Sequence, residues 1–382
     1  MSATRICLTV NTTWNIWNFR RPLVEALLSD GHEVHILAPE DDYVPEIQGL
    51  GCQFTPLRMD RKGLNPVAEL AFLRRLRAHL EEIQPDVILG FTIKNNVFGA
   101  MAASKGNLPF IPNVTGLGTA FQSGSFLKAA SIGLYRSAFR KCPVVFFQND
   151  QDRDLFLKYD MIRDEQVRML PGSGIDLERF SPSPDAAERI VSEGPVFLMV
   201  ARLLREKGVA EYAEAARVMR KELPTARFQV LGEAGSAYRS AISRAEIRGW
   251  EETHGIEYLG TSSDVRSEMH EADCIVLPSY YPEGAPRSLI EAAAMGKPII
   301  TTDTPGCRSI VDDATTGYLC APRDAGDLAR AMRYFAALPP QARYAMGRAG
   351  RTKMEREFDV TIVVDAYREA IAQCMSAKNR PA

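Results

Sequence analysis

Apolar and polar positions along the chain follow two rhythms, short aliphatic runs and longer stretches of helical period. In the first half, residues 5–10, 32–38, 86–90, 144–148 and 167–170 read as strands. Between them, 19–28 and 65–83 carry the three-to-four spacing of amphipathic helices, the first stopped by Asp30-Gly31. The second half restarts the scheme. Strands fall at 196–200, 227–231, 256–259, 274–277 and 299–302, with helices at 210–223 and 288–295. A final amphipathic helix is predicted over 358–375. Alternation of this kind predicts parallel sheets covered on both faces. Residues 180–185, Phe-Ser-Pro-Ser-Pro-Asp, read as a linker between two such units. The predicted fold class is α/β, with two doubly wound Rossmann-like domains. Such sheets bind ligands beyond their strand C-termini, so a central cleft faced by both domains is the expected site.

Composition narrows the class. The chain has 382 residues, enough for two domains of ordinary size. A net charge of -2 offers no general basic field for nucleic acid. No apolar run approaches the roughly 18 residues of a membrane-spanning helix, and the start lacks the pattern of a signal peptide. Cys7, Cys52, Cys142, Cys274, Cys307, Cys320 and Cys374 are scattered, odd in number and never spaced Cys-x-x-Cys. A reduced, cytoplasmic protein without a zinc site is expected.

Two segments carry candidate chemistry. One is Tyr281-Pro282-Glu283-Gly284-Ala285-Pro286-Arg287-Ser288-Leu289-Ile290-Glu291, which follows a predicted strand and opens a helix. Amides near Gly284 and Ala285 make a helix N-terminus, a seat for phosphate, with Pro286 suited to the first turn, Glu283 before it and Glu291 within the helix. The other is Ala201-Arg202-Leu203-Leu204-Arg205-Glu206-Lys207-Gly208, at the end of the second domain's first strand. Arg202 and Lys207 there can meet a diphosphate, one as a fork and one as a point charge. Asp150-Gln151-Asp152 and Asp152-Arg153-Asp154 match the Asp-x-Asp metal signature, but they start a helix, where acids are favoured on other grounds. They are read as helix-start acids, and no metal or other cofactor is expected. Gly116 and Gly118 lack the third glycine of a dinucleotide fingerprint, because position 121 is Phe121. A glycine turn at a ligand site fits them better. Lys94, near a strand end, is a candidate for an acceptor phosphate. Residues 126–141 and, more briefly, 72–77 mix cations with bulky apolar groups, as interfacial helices do.

Together Arg202, Lys207, Glu283 and Glu291 resemble the family 4 retaining glycosyltransferases of GT-B architecture, whose second domain carries an Arg, a Lys and a Glu-x7-Glu element. Ser173-Gly174-Ile175-Asp176 resembles the family's hinge, with Ser-Gly where Asn-Gly is usual. Leu231-Gly232-Glu233, Gly260-Thr261-Ser262-Ser263-Asp264, Thr304-Pro305-Gly306 and Thr316-Gly317-Tyr318 follow in family order. In the first domain, Asn15-Ile16-Trp17-Asn18-Phe19-Arg20, Asp60-Arg61-Lys62-Gly63-Leu64-Asn65-Pro66, Ile93-Lys94-Asn95-Asn96 and Val114-Thr115-Gly116-Leu117-Gly118 resemble a bacterial subgroup that extends sugars on undecaprenyl diphosphate. Many family members place a His or an acid near that last loop, where this chain has Thr115.

The resemblance implies an acceptor domain over 1–178, completed by a C-terminal helix at 358–382 that crosses back, and a donor domain over 190–357. It implies a nucleotide diphosphate sugar as donor, UDP-linked, and a lipid-linked sugar as acceptor. An anionic membrane surface is then a partner, reached by a cytoplasmic protein peripheral to the inner face of the membrane. Arg202 and Lys207 would hold the diphosphate, Glu283 the sugar hydroxyls and Glu291 the ribose. Gly284, Ala285 and Pro286 complete that donor set. Lys94, Asn95, Thr115, Gly116 and Gly118 would serve the acceptor. Two other readings stay open: a nucleotide-sugar 2-epimerase of the same fold, and a catalytically silent nucleotide-sugar binder.

Overall fold

The computed structural model describes residues 3–60, 65–116, 125–183, 194–236, 238, 240–281 and 284–378. The chain divides into two units, Met1–Gly174 with Val360–Ala382, and Ile175–Asp359.

In chain order the first unit holds β1 (Arg5–Thr9), α1 (Thr13–Phe19), α2 (Arg21–Ser29), β2 (Glu33–Ala38), α3 (Val44–Gly49), β3 (Gln53–Pro56), α4 (Pro66–Ile83), β4 (Val87–Phe91) and α5 (Ile93–Lys105). There follow β5 (Phe110–Val114), α6 (Ser125–Phe139), β6 (Val145–Phe147), α7 (Asp150–Lys158) and β7 (Val167–Met169). The strands form one parallel sheet in the order β3-β2-β1-β4-β5-β6-β7. Strand residues alternate between two cores. Ile6, Leu8, Val87 and Leu89 face one side; Cys7, Ile88, Val145 and Phe147 face the other. This is the period of two expected of a sheet buried on both faces.

The predicted helix at 19–28 forms as α2, and a further helix, α1, precedes it; the two are separated at Arg20, whose φ of -128° is not helical. Pro22 stands in the first turn of the second, where its missing N–H costs nothing. The segment 72–77 is no interfacial stretch, because Phe72, Leu73 and Leu76 are buried in the core under α4.

The second unit holds β8 (Val196–Val200), α8 (Val209–Glu222), β9 (Arg227–Leu231), α9 (Arg244–His254), β10 (Ile256–Gly260), α10 (Arg266–Glu271), β11 (Cys274–Leu277) and α11 (Arg287–Ala294). It continues with β12 (Ile299–Thr302), α12 (Pro305–Arg308), β13 (Gly317–Cys320), α13 (Ala325–Ala337) and α14 (Pro340–Glu357). Its parallel sheet runs β10-β9-β8-β11-β12-β13. In both sheets the order reverses beside the first strand, giving switch points between β1 and β4 and between β8 and β11.

The expected linker at 180–185 starts inside the second unit instead. Phe180 is buried in that unit's core, and Arg351 donates to the carbonyls of Leu177 and Phe180 at 3.1 and 2.8 Å. Residues 184 and 185 lie outside the described residues. The chain changes units at Gly174/Ile175 and again at Asp359/Val360. The last helix, α15 (Val360–Lys378), returns to the first unit, where Val363, Tyr367, Ala370, Ile371 and Cys374 join one core. Its Arg368 binds both oxygens of Asp30, at 2.7 and 2.8 Å.

Candidate active site

At the switch point of the second unit, three loops interlock. The loop after β8 runs from Ala201 to Gly208 and is bonded to the loop after β11. The Glu206 carbonyl accepts from the amides of Tyr280 and Tyr281, at 2.9 and 3.1 Å. The loop after β9 closes on the same segment, with Arg205 N–H donating to the Ser240 carbonyl at 2.9 Å. Two glycines permit this approach. At Gly208 a Cβ would collide with the Pro278 carbonyl oxygen, and at Gly232 with that of Ala201; both have positive φ.

Arg202 is exposed, with its guanidinium centre 5.1 Å from the Tyr238 ring centroid. Lys207 is 8% exposed, and its Nζ stands 5.6 Å from the Tyr281 ring centroid. Gly208 is the N-cap of α8 and offers no side chain to the helix amides. Pro286 is the N-cap of α11, likewise with no side-chain cap, and Gly284 and Ala285 precede it. Glu291 accepts from Arg287 Nε at 2.8 Å, the two side chains being 15% and 21% exposed. Glu283, expected on the donor sugar, lies outside the described residues. At the end of β10, the Asp264 carboxylate is bound by the forked Arg266 guanidinium, which pulls its pKa down to about 2.

The first unit treats its switch point differently. The amides that open α1 are taken by Asp41. Its carboxylate accepts from the N–H groups of Thr13, Trp14 and Tyr43, at 2.9, 3.3 and 3.1 Å, and from the Thr13 hydroxyl. A carboxylate thus fills the place where the first turn of a dinucleotide-binding sheet would receive a phosphate. Across the switch point, β4 passes into α5 through Thr92, at φ 70° and ψ 153°. Thr92 is the one β-branched residue with positive φ among the described residues. Its hydroxyl does not cap α5; it donates to Asn95 Oδ1 at 3.0 Å.

Two of the expected acceptor residues are engaged within the unit. Asn95 is 0% exposed, and its Nδ2 donates to Thr9 Oγ1 at 2.8 Å, so its side chain ties α5 to β1. Lys94 is paired with Glu69 and donates to the Asp60 carbonyl at 2.7 Å, so it anchors neighbouring backbone. Thr115 and Gly116 follow β5 directly, half-buried, with φ 133° at Gly116. Gly118 lies outside the described residues. Below them sits Asn113, 0% exposed, which donates to Tyr367 Oη at 2.8 Å and accepts from Gln148 at 3.2 Å.

Comparison with known proteins decides the class. The family model "Glycosyl transferases group 1" matches residues 183–353, and "Glycosyl transferase 4-like domain" matches 16–173. The chain is a glycosyltransferase of family 4 type.

This glycosyltransferase is 28% identical over 327 residues to the N,N'-diacetylbacillosaminyl-diphospho-undecaprenol alpha-1,3-N-acetylgalactosaminyltransferase of Campylobacter jejuni, covering 82% of this chain and 84% of the relative. It is 24% identical over 268 residues to the UDP-Gal:alpha-D-GlcNAc-diphosphoundecaprenol alpha-1,3-galactosyltransferase of Escherichia coli, with 68% of each chain covered. A glycosyltransferase structure from Rickettsia africae superposes with a TM-score of 0.79 at 18% identity, covering 100% of both chains. That likeness carries the GT-B fold.

Elsewhere in the glycosyltransferase, Asp150 and Asp152 stand in the first turn of α7 under the Asn149 cap. Asp152 is buried, which raises its pKa by desolvation, and it accepts from Asn149 Nδ2 at 3.0 Å. Asp150 is paired outward with Arg153 at 2.6 Å. The two carboxylates serve the helix start separately. α6 turns Tyr135, Ala138 and Phe139 into the core and leaves Leu134 40% exposed. Arg136 on it donates to the carbonyls of Tyr159 and Asp160, at 2.5 and 3.1 Å. Among the described residues no helix is long and apolar enough to cross a membrane.

The motifs brought Arg202, Lys207, Gly284, Ala285, Pro286 and Glu291 into view. They missed Asp41, Thr92, Asn113 and Tyr238. Only Asp41 carried a local signal, as the middle of a run of acids, Glu40-Asp41-Asp42, just after a strand.

Proposed function

We propose that this glycosyltransferase moves a hexose or N-acetylhexosamine from a UDP-linked donor, held by the second unit, to a polyprenyl-diphosphate-linked sugar served by the first. The observation that carries the division is the contrast at the two switch points. In the second unit, Arg202, Lys207 and two helix starts without side-chain caps follow the strand ends. In the first, the equivalent amides are filled by Asp41. A nucleotide diphosphate therefore favours the second unit on charge and on open donors alike. The names of the Campylobacter and E. coli relatives, both diphospho-undecaprenol transferases, support the acceptor class.

The chemistry follows from charge. The leaving diphosphate gathers negative charge as the sugar bond breaks. Arg202, Lys207 and the amides before α11 sit where fixed positive partners replace its hydration. Glu291, oriented by Arg287, suits the two ribose hydroxyls, and Glu283 the donor sugar. Attack from the face that the diphosphate leaves retains the anomeric configuration, with a phosphate oxygen taking the acceptor proton. No protein nucleophile is assigned. With cations on the diphosphate and the Asp-x-Asp acids committed to α7, transfer needs no divalent ion.

The test is release of UDP from UDP-sugars with and without a polyprenyl-diphosphate-linked saccharide, in excess EDTA. Acceptor-dependent release that survives EDTA is expected. Strict dependence on Mg²⁺ or Mn²⁺ overturns the metal-free assignment. Epimerisation of the donor without transfer, or no turnover with any donor, overturns the function.

A further inference from the structure

Arg202 stands exposed at the end of β8, and among the described residues its side chain has no carboxylate or hydrogen-bond partner. Its contact is aromatic. The guanidinium centre lies 5.1 Å from the centroid of Tyr238, a ring left 47% exposed. The residues just after it are tied to the loop after β8, and Ala241 N–H donates to the Tyr238 carbonyl at 3.1 Å. Leu204 and Ala241 form an antiparallel bridge, and Ile242 N–H donates to the Leu203 carbonyl at 2.8 Å. Ser240 Oγ donates to Glu206 Oε1 at 2.8 Å. Ring and guanidinium thus belong to one frame, although they follow different strands.

We propose that Tyr238 is a positioning residue that holds the Arg202 guanidinium ready for the second phosphate of the donor nucleotide. The inference rests on the reading of Arg202 as a diphosphate contact. A lone arginine samples many rotamers and loses that freedom when it binds. A carboxylate neighbour would fix it too, but would cancel the charge that the ligand needs. An aromatic face fixes the plane and leaves the N–H donors along its edge unspent. The ring therefore acts on the diphosphate through Arg202 and not on the nucleoside.

Titration calorimetry tests this with UDP, GDP and ADP, each beside its monophosphate, using the pair that the wild type binds. Tyr238→Phe keeps the ring and should bind like wild type. Tyr238→Leu should weaken the diphosphate by about 3-fold, the size of an exposed cation–π contact, and leave the monophosphate unchanged. In an Arg202→Ala background, Tyr238→Leu should add nothing. Equal weakening of mono- and diphosphate by Tyr238→Leu would mean that the ring touches the nucleoside, and overturns the inference. So does a Tyr238→Leu variant with wild-type affinity. If Arg202→Ala itself leaves diphosphate affinity intact, or the wild type binds no nucleotide, the donor-site reading fails and the inference falls with it.

Discussion

Asp41, from the loop after β2, closes the amides that open α1, whereas Lys207 immediately precedes α8, the first helix after the first strand of the other sheet; the two carry opposite charges. Lys207 is held at 8% exposure beside Tyr281, a burial that a solvated loop lysine does not accept without a task. Lys207→Met keeps the packed stem and removes the charge. The expected outcome is a drop in turnover of about 30-fold or more, from about 2 to 4 kcal/mol of lost transition-state stabilisation, with an unchanged melting temperature. Near-normal turnover would remove Lys207 from the diphosphate. Thr92 poses a backbone question. Its φ and ψ lie in a region that glycine alone visits freely, and other residues there cost about 1 to 3 kcal/mol. Glycine is ordinarily the less stable replacement. At this position the order should reverse, with Thr92→Gly more stable than Thr92→Ala by about 1 kcal/mol in urea denaturation. An Ala variant as stable as the Gly variant would show a relaxed turn. The strain lies where β4 meets α5 at the switch point, so the Gly variant should also raise the acceptor KM.

Elements joined by long-range side-chain bonds govern the first unit. Tyr367 comes from α15, and its hydroxyl accepts from Asn113 across 254 positions of sequence. Both residues are 0% exposed. Tyr367→Phe leaves the Asn113 amide short of a partner inside the core, which costs about 1 to 3 kcal/mol. A matching fall in the urea midpoint is expected, with nucleotide affinity of the second unit unaltered; wild-type stability would mean that the bond contributes nothing. That bond also shows where sequence reading stops. β1, β2, β8, β11 and β12 were legible because each is an aliphatic run. β5 was not, since Pro112 and Asn113 interrupt its pattern in the middle of the sheet. α5 was missed because it buries Asn95, Asn96, Gly99 and several alanines, which leaves no contrast between faces. Of the candidate site, what lay within a few residues of itself was legible: Arg202 with Lys207, and Gly284 through Glu291. The Asp41 cap and the Tyr238 platform join separate strand ends, and no local pattern encodes such a meeting.

At the scale of the whole molecule, a net charge of -2 gives no general attraction to an anionic membrane, so any binding must come from a local surface. α6 is the candidate. Its inner face is spent on the core, which leaves Leu134, Lys128, Arg140 and the helix end to meet lipid. Arg136 and Lys141 are poor choices for a test, because they hold the carbonyls of Tyr159, Asp160 and Ser104. Lys128→Gln with Arg140→Gln changes the surface with less disturbance, although Lys128 also lies 5.0 Å from the Tyr159 ring. Each cation near an anionic surface contributes about 1 kcal/mol, so the pair should weaken vesicle binding by roughly 30-fold. Salt should weaken the wild type in the same direction, since the Debye length is about 8 Å at physiological ionic strength. The double variant should show a raised KM for the lipid-linked acceptor. Its hydrolysis of the UDP-sugar should match wild type, because Arg202 and Lys207 belong to the other unit. A water-soluble short-chain acceptor separates surface binding from acceptor recognition: with it, variant and wild type should have equal KM. If wild type ignores anionic vesicles at low salt, α6 is not a membrane surface. If it also prefers a free saccharide to the diphosphate-lipid form, the acceptor class is wrong as well.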